Sequence, residues 1–533
     1  MVTRKGPTNP TKVAAVLGAS AVLATGALST LGFRSAGDIR PAASHPKLAY
    51  KGTITMWASA YTPLLPGQKA TPGVKPIVAF NQAAKAFEKI YPGIHIKFLP
   101  NNSQTGSNTW YETEGAAGLL PDVTWVQGPY VNVDYPKGLF VNLQPYFAKP
   151  NPFIAGNKRW GATMNSEALA SSTEPGNTPG TTGIFAVDGD WEGFGFWYNK
   201  ALFKKAGITK PPTSWLQLVA DSKQLAAHGI DPGATFAAPI YNWFAHIFQT
   251  NYLGAARMRT MMGISGNTAA AMTSAQNAFF YNHYHNWLNP TTDPRLIAWW
   301  PAAKALLSTW DKKNIDVTEA SSATAPNPYT LFVGQQVAMA YVEGSDMPLL
   351  VQALPAKHRF PLGMFNVANL KGTSPYATNL VTYQDVGGPY VGFQYAISSH
   401  LGDHTMTPAK FKAALAWVQF FSTPKWDQTI VNEEGNAIPI IKGTYAPPID
   451  RPFRQAIEKN PFWSLSAFDT MTSSSFNTID GLFLEYVNGF ITFTQAKQQY
   501  AADAAQIVKQ FYSQNQTLMA RLTKQEDQRL GIK

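Results

Sequence analysis

Residues 191–215, WEGFGFWYNKALFKKAGITKPPTSW, leave the chain little conformational choice. The aromatic run Phe194–Tyr198 predicts a short strand, because aromatic side chains suit a pleated, half-buried surface. Asn199 then fits the N-cap of a helix over 199–206, where its side-chain oxygen can accept from an N–H that the helix leaves unpaired. Gly207 supplies a left-handed stop, and Pro211-Pro212 bar continuation. Thr213-Ser214 cap a second helix, with Leu216, Val219, Leu225 and Ala226 near helical spacing. The reading is a strand–helix–turn–helix unit punctuated by glycine and proline.

A chain of 533 residues exceeds one ordinary core, so two or more lobes are expected. It has no cysteine, which excludes disulfides, cysteine-ligated metals, thiol nucleophiles and a lipidated cysteine anchor. At the N-terminus, Arg4, Lys5 and Lys12 precede the uncharged run 13–33, and small residues lie near Ala27–Ser29. That is the layout of a secretory signal in residues 1–36. The run is also long enough to span a bilayer, so a retained anchor stays open. Removing this segment, with four basic groups and no acids, takes the formal charge from +11 to +7. No Lys/Arg block accompanies the remainder, and no nucleic-acid partner is expected. Charged residues make up 14%, against about 25% in typical soluble proteins. A surface built on neutral polar groups changes charge little in acid, which suggests an acidic extracellular habitat.

Residues 37–50, with Pro41 and Pro46, read as a linker. A strand over 52–59 follows, then a Pro/Gly loop over 62–76. Next comes a helix with Ile77, Phe80, Ala84, Phe87 and Ile90 near period 3.6. Gly93 stops it and 94–99 alternates as a second strand, an order that predicts parallel pairing in an α/β lobe. Residues 150–182, rich in Asn, Thr, Gly and Pro, read as a long surface loop. In LFVGQQVAMAY, residues 331–341, Gly334 ends a helix and Val337, Met339 and Tyr341 alternate as a strand. A strand over 392–398 precedes an amphipathic helix over 409–421, and a long helical region over 480–512 is interrupted near Gly489.

Several of these passages share their wording and order with one family. AFEKIYPGIHIKF (86–98), PDV (121–123), GLFVNL (138–143), YNKALFKKAGI…PPTSW (198–215), FVGQQVAM (332–339) and NEEGNAIP (432–439) resemble extracellular solute-binding protein family 1. So do Gly489, Thr492 and Gln495-Ala496. These are the sugar-capturing components of ABC importers, to which maltose-binding protein belongs. The landmarks span about residues 52–512; segments 62–76, 150–182 and 360–388 depart from the pattern as insertions.

The resemblance implies a type II periplasmic-binding-protein-like fold: two α/β lobes, each a mixed sheet flanked by helices, with three hinge crossovers near 188–195, 389–396 and 446–453. One lobe would comprise 51–190 and 396–448, the other 191–395 and 449–533. It further implies no catalysis and no cofactor. The protein would be a monomer outside the cytoplasmic membrane, passing a mono- or oligosaccharide to ABC permease subunits. Membrane contact would come only through the N-terminal segment or the permease. Sugar recognition needs carboxylates and amides for hydroxyls and aromatic plates for the C–H face of the ring. The matching contact loops carry Ser59, Tyr61, Trp125, Gln127, Asp190 and Glu192 from the first part of the chain. Tyr241, Asn242, Trp243, Glu343, Asp346 and Phe476 come from the rest. The bland reading of Asp188, Asp190 and Glu192 is that they are surface charges on a crossover.

Two other readings compete. A secreted glycoside hydrolase would need paired carboxylates, for which Asp188, Asp190 and Glu192 are the nominal candidates. Gly-x-Ser-x-Gly, His-Glu-x-x-His and phosphate-loop motifs are all absent from the sequence. His283-x-His285 lacks an evident third metal ligand. The other reading keeps the fold and changes the cargo to a polyamine, peptide or metal. The contact loops carry acids and aromatics but no arginine, which favours a neutral polyol or a cation over an anion.

Overall fold

The computed structural model describes residues 45–68, 77–101, 108–126, 137–169, 172–175, 182–236, 240–254, 274–311, 328–343, 346–365, 367, 369–377, 387–399, 406–434, 437–448, 454–455 and 473–531. Among them, β1 (Gly52–Trp57), β2 (Ile94–Phe98) and β3 (Val123–Trp125) pair in parallel, as the β–α–β order predicts. The helix Ala79–Ile90 joins the first two and buries Phe80, Ala83, Ala84 and Phe87. Its first two amides, Val78 and Ala79, donate to Glu433 from far along the chain. Asp122, just before β3, accepts from the Thr55 amide at 2.8 Å and its hydroxyl at 3.1 Å. It also pairs with Lys410 at 2.7 Å, so the aspartate of the PDV element is scaffold.

Downstream come β4 (Thr173–Pro175), β5 (Thr182–Ile184) and β6 (Val187–Asp188), then β7 (Asp190–Asn199) and β8 (Gly233–Thr235). They are followed by β9 (Met339–Glu343), β10 (Leu362–Phe365), β11 (Gly387–Tyr390), β12 (Gln394–Ile397) and β13 (Ala437–Pro439). Two mixed sheets result. One has the order β2-β1-β3-β12-β6; the other runs β10-β7-β9-β8, with β11 and β13 also on β7. Phe194 faces Glu343 of β9 and Gly387 of β11, while Glu192 faces Tyr390 of β11 and Ala437 of β13. β7 is therefore paired along both edges, and all ten of its residues are buried.

Each sheet has its own core. Ile54, Met56, Val123, Tyr395 and Ile397 point into the first, with Phe87, Trp417 and Phe421 from the covering helices. Trp57 and Ala396, one residue out of phase, face a small cluster on the opposite side with Tyr111 and Phe140. The second core gathers Phe196, Tyr341, Trp215, Phe248, Trp299 and Phe483. The chain passes from the first sheet to the second between β6 and β7, and back between β11 and β12. β13 lies across both cores: Ile438 belongs to the second, Ala437 and Ile441 to the first. The expected third crossing at 446–453 lies mostly outside the described residues.

Local capping follows the sequence. Asn199 Oδ1 accepts from the Ala201 amide at 2.9 Å and the Leu202 amide at 3.3 Å, and Gly207 adopts φ +80°. Ser214 caps helix Trp215–Ala227. Thr492 opens helix Phe493–Gln514 with a reciprocal capping box to Gln495. Thr492→Ala is expected to cost about 1 kcal/mol in urea denaturation; no change would mean that the helix end frays regardless.

Four expectations need correction. Trp215, Leu218, Val219 and Leu225 form the buried stripe of their helix, while Leu216 is 50% exposed and Ala226 is also exposed. Val219 and Leu225 fall on it as expected, but its other members are Trp215 and Leu218 in place of Leu216 and Ala226. The aromatic strand is twice the expected length, since hydrogen bonding to β11 and β13 extends it back to Asp190. Segment 150–182 is not a plain surface loop: Trp160 is fully buried and stacks on Phe147 at 4.3 Å. Segment 360–388 contributes β10 and β11 to the second sheet and is not decoration.

Candidate functional site

Parallel strands leave open ground beyond their carboxyl ends, where ligands of α/β sheets lodge. In the first sheet these ends are Trp57 and Trp125, the latter opposite Tyr395 at the start of β12. In the second they are Thr235 and Glu343, and β9 runs antiparallel to β7, so Glu343, opposite Phe194, is the end of β9 directed toward the start of β7. Both sheets thus turn their carboxyl ends toward the crossings at 188–190 and 390–394.

Beyond β1 the chain makes a tight turn. Ser59 sits at φ +50°, a left-handed conformation costly for a residue with a Cβ. Asn101 secures the turn, donating to the Ser59 carbonyl at 3.0 Å and accepting from Trp57 Nε1 at 2.6 Å. Trp57 is also the hub of an aromatic group. Its ring meets Trp110 at 5.3 Å and Trp125 at 5.6 Å, edge to face.

Gly392 then draws the first-sheet candidates together. Its amide and that of Phe393 each donate to Asp190 Oδ1 at 2.8 Å, while Tyr61 donates its hydroxyl to Oδ2 at 2.5 Å. Its carbonyl accepts from Trp125 Nε1 at 2.5 Å. Its bare Cα faces Glu192: a methyl group there would lie 2.0 Å from Oε1. Trp125, Asp190 and Glu192 therefore meet at one glycine, and Tyr61 joins them through Asp190.

The acids are not surface charges, contrary to the bland reading: Asp188 and Asp190 are wholly buried and Glu192 is 8% exposed. Asp188 accepts from Ser172 at 2.8 Å and Gln394 at 2.9 Å. Burial lifts its carboxyl to about 8 despite these two bonds. Burial also lifts Asp190, to about 6, held there by its three donors. With its oxygens engaged, Asp190 positions the second crossing and offers a cargo little.

From the second sheet, Trp243 stacks on Phe194 at 4.4 Å and is 5% exposed, so one face of its ring is already occupied. Glu343 is placed by its backbone pairing with Phe194, two residues from Glu192. Gln127 lies outside the described residues, as do the side chains of Tyr241, Asn242, Glu343, Asp346 and Phe476. Sequence reasoning missed Trp57, Asn101, Trp110 and Gly392. Only Trp57 carried a readable signal, as the last residue of a β-branched strand. Among the described residues no cluster of three or more acids, histidines or cysteines could hold a metal, His283 and His285 included.

The model of the bacterial extracellular solute-binding protein family matches residues 73–428, and the chain belongs to that family. Its members bind solutes for ABC transport and are not catalytic, so the hydrolase reading falls. No curated protein matches the chain. Among solved structures, a chitin oligosaccharide binding protein is 16% identical, with a TM-score of 0.59 over 86% of this chain and 99% of its own. The bacterial solute receptor AcbH, described as exclusively preferring β-D-galactopyranose, is 14% identical with TM-score 0.59 over 87% and 100%. The maltose-maltodextrin binding protein of the thermoacidophilic bacterium Alicyclobacillus acidocaldarius is 13% identical, with TM-score 0.52 over 85% and 100%. At such identities the likeness shows the fold, a two-lobed periplasmic-binding-protein-like architecture.

Proposed function

We propose that the protein captures a neutral carbohydrate between its lobes and delivers it to an ABC permease outside the cytoplasmic membrane. The observation that carries this reading is the convergence on Gly392. A half-buried tryptophan, Trp125, bonds the Gly392 carbonyl, and a carboxylate, Glu192, packs on the bare Cα of the same residue, near the carboxyl ends of both sheets. An aromatic plate beside a hydroxyl-binding carboxylate is the pairing a sugar requires. Trp57 and Trp110 extend the apolar wall. The sugars named for three proteins of the same fold support the reading. On this view the lobes are 51–190 with 396–448 and 191–395 with 449–533, working as a monomer, exported by or tethered through residues 1–36.

A thermal-shift screen against mono- and oligosaccharides tests it. A sugar at about a hundred times its Kd adds roughly 2.7 kcal/mol of stability. A shift given by a polyamine or peptide, with none from any sugar, would overturn the carbohydrate assignment. Trp125→Ala is expected to weaken binding of the responding sugar by on the order of 2 kcal/mol, about thirtyfold. Unchanged affinity in a titration would remove Trp125 from the site.

A further inference from the structure

The two crossings and one helix meet at three carboxyl groups that sugar binding does not use. Asp188 ends β6, Gly189 follows, and Asp190 opens β7, so both acids stand on the first crossing. The second crossing, at Gly392-Phe393, spends two amides on Asp190. Asp427 reaches the same point from helix Pro424–Glu434, which packs with the first core. A methyl on Gly189 would lie 2.3 Å from its Oδ1. Asp427 is wholly buried, and neither oxygen makes a hydrogen bond of good geometry; the nearby Ile441 amide offsets its burial only in part. One oxygen of Asp188 is likewise unpartnered.

Among the described residues no lysine, arginine or histidine forms an ion pair with the three aspartates. Of the titratable groups nearby, Tyr61 from the turn after β1 bonds Asp190, and Glu192 lies two residues farther along β7. On the helix of Asp427 itself, Lys425 lies over the Trp426 ring and Glu433 caps helix Ala79–Ile90. An unpaired buried carboxylate is costly, whereas a neutral acid is tolerated and gains a donor. Changing the angle between the lobes has to turn the backbone at the crossings, so groups packed on Gly189 and Gly392 feel that motion.

We propose that the crossings form a proton-loaded hinge: Asp188 and Asp427 hold protons beside Asp190 in this conformation, and releasing them to solvent as pH rises changes the angle between the lobes. Burial raises both groups, Asp188 to about 8, and the charge of Asp190 raises Asp427 further, so protons leave Asp188 as pH rises through about 8.

The test needs no cargo, so its failure is distinct from failure of the carbohydrate reading. Because the chain has no cysteine, Lys85→Cys and Lys204→Cys give one spin label on an exposed site of each lobe. The distance distribution between them is expected to differ between about pH 5 and pH 9, on either side of the Asp188 transition. In Asp427→Asn, a neutral isostere, the difference between the two pH values should shrink, since only Asp188 is left to release its proton. A distribution independent of pH in the parent protein overturns the proposal, as does an Asp427→Asn variant that shifts like the parent. Should that variant not fold, Asp188→Asn decides. Its amide oxygen keeps the bonds from Ser172 and Gln394, and a reduced shift supports the hinge while a full shift overturns it.

Discussion

Urea denaturation of the full chain should show stability rising as pH falls from about 8 to about 4, opposite to a protein held by ionised carboxylates. Asp188 has a folded-state value near 8 against an ordinary 3.8. Between these limits the unfolded chain has released the proton and the folded chain retains it. Each pH unit downward across that window therefore favours folding by about 1.4 kcal/mol per group at most. The contribution is fully present below about 3.8 and lost as pH rises through about 8. Asp427 acts in the same direction, and Asp190 adds a smaller share that is lost through about 6. Together the effect is on the order of several kcal/mol. Asp188→Asn should flatten the curve, because its amide stays neutral at every pH. A stability that stayed level or climbed from pH 5 to 8 would show that the aspartates are ionised in the folded protein. Acid-favoured stability also fits the sparse charge of the sequence.

Lys410→Met should lower stability by about 3–5 kcal/mol, the cost of stranding a buried charge. Asp122 has 1% of its side chain exposed and Lys410 15%, and they are 2.7 Å apart. The same carboxylate ties β3 to β1 through Thr55, so it cannot swing out to water without breaking the sheet. Adding Asp122→Asn to Lys410→Met should recover part of the loss, because the amide oxygen still accepts from Thr55 while the charge is gone. A loss below about 1 kcal/mol for the single variant would place the pair with weak, hydrated surface bridges.

Where the fold was legible, its chemistry lay within a few residues. Asn199, Gly207 and Ser214 bond to, or bend, the backbone beside them, so residue type and position sufficed. Leu216 misled because apolar spacing fits more than one helical phase and the packing of Trp215 decides between them. Trp160 could not be read because a lone aromatic among polar residues has no period, and its partner Phe147 belongs to another turn. The start of β7 was hidden for a stronger reason. Two acids and two glycines within Gly189–Gly193 look like a surface turn, and what makes them interior is Gly392, 202 positions from Asp190. The candidate site was thus half visible: the loops could be named, but not the glycine that joins them.

β7 has a consequence for how the molecule comes into being. Its partners are drawn from residues 339–343, 362–365, 387–390 and 437–439, and the first sheet lacks its link between β3 and β6 until β12 exists. Neither sheet can close on a ribosome that has not yet made Gln394. Such long-range pairing is slow to nucleate, since loop closure must precede any reward from contact. For a member of an extracellular family that lateness suits export, since neither sheet is complete until about three quarters of the chain has been made.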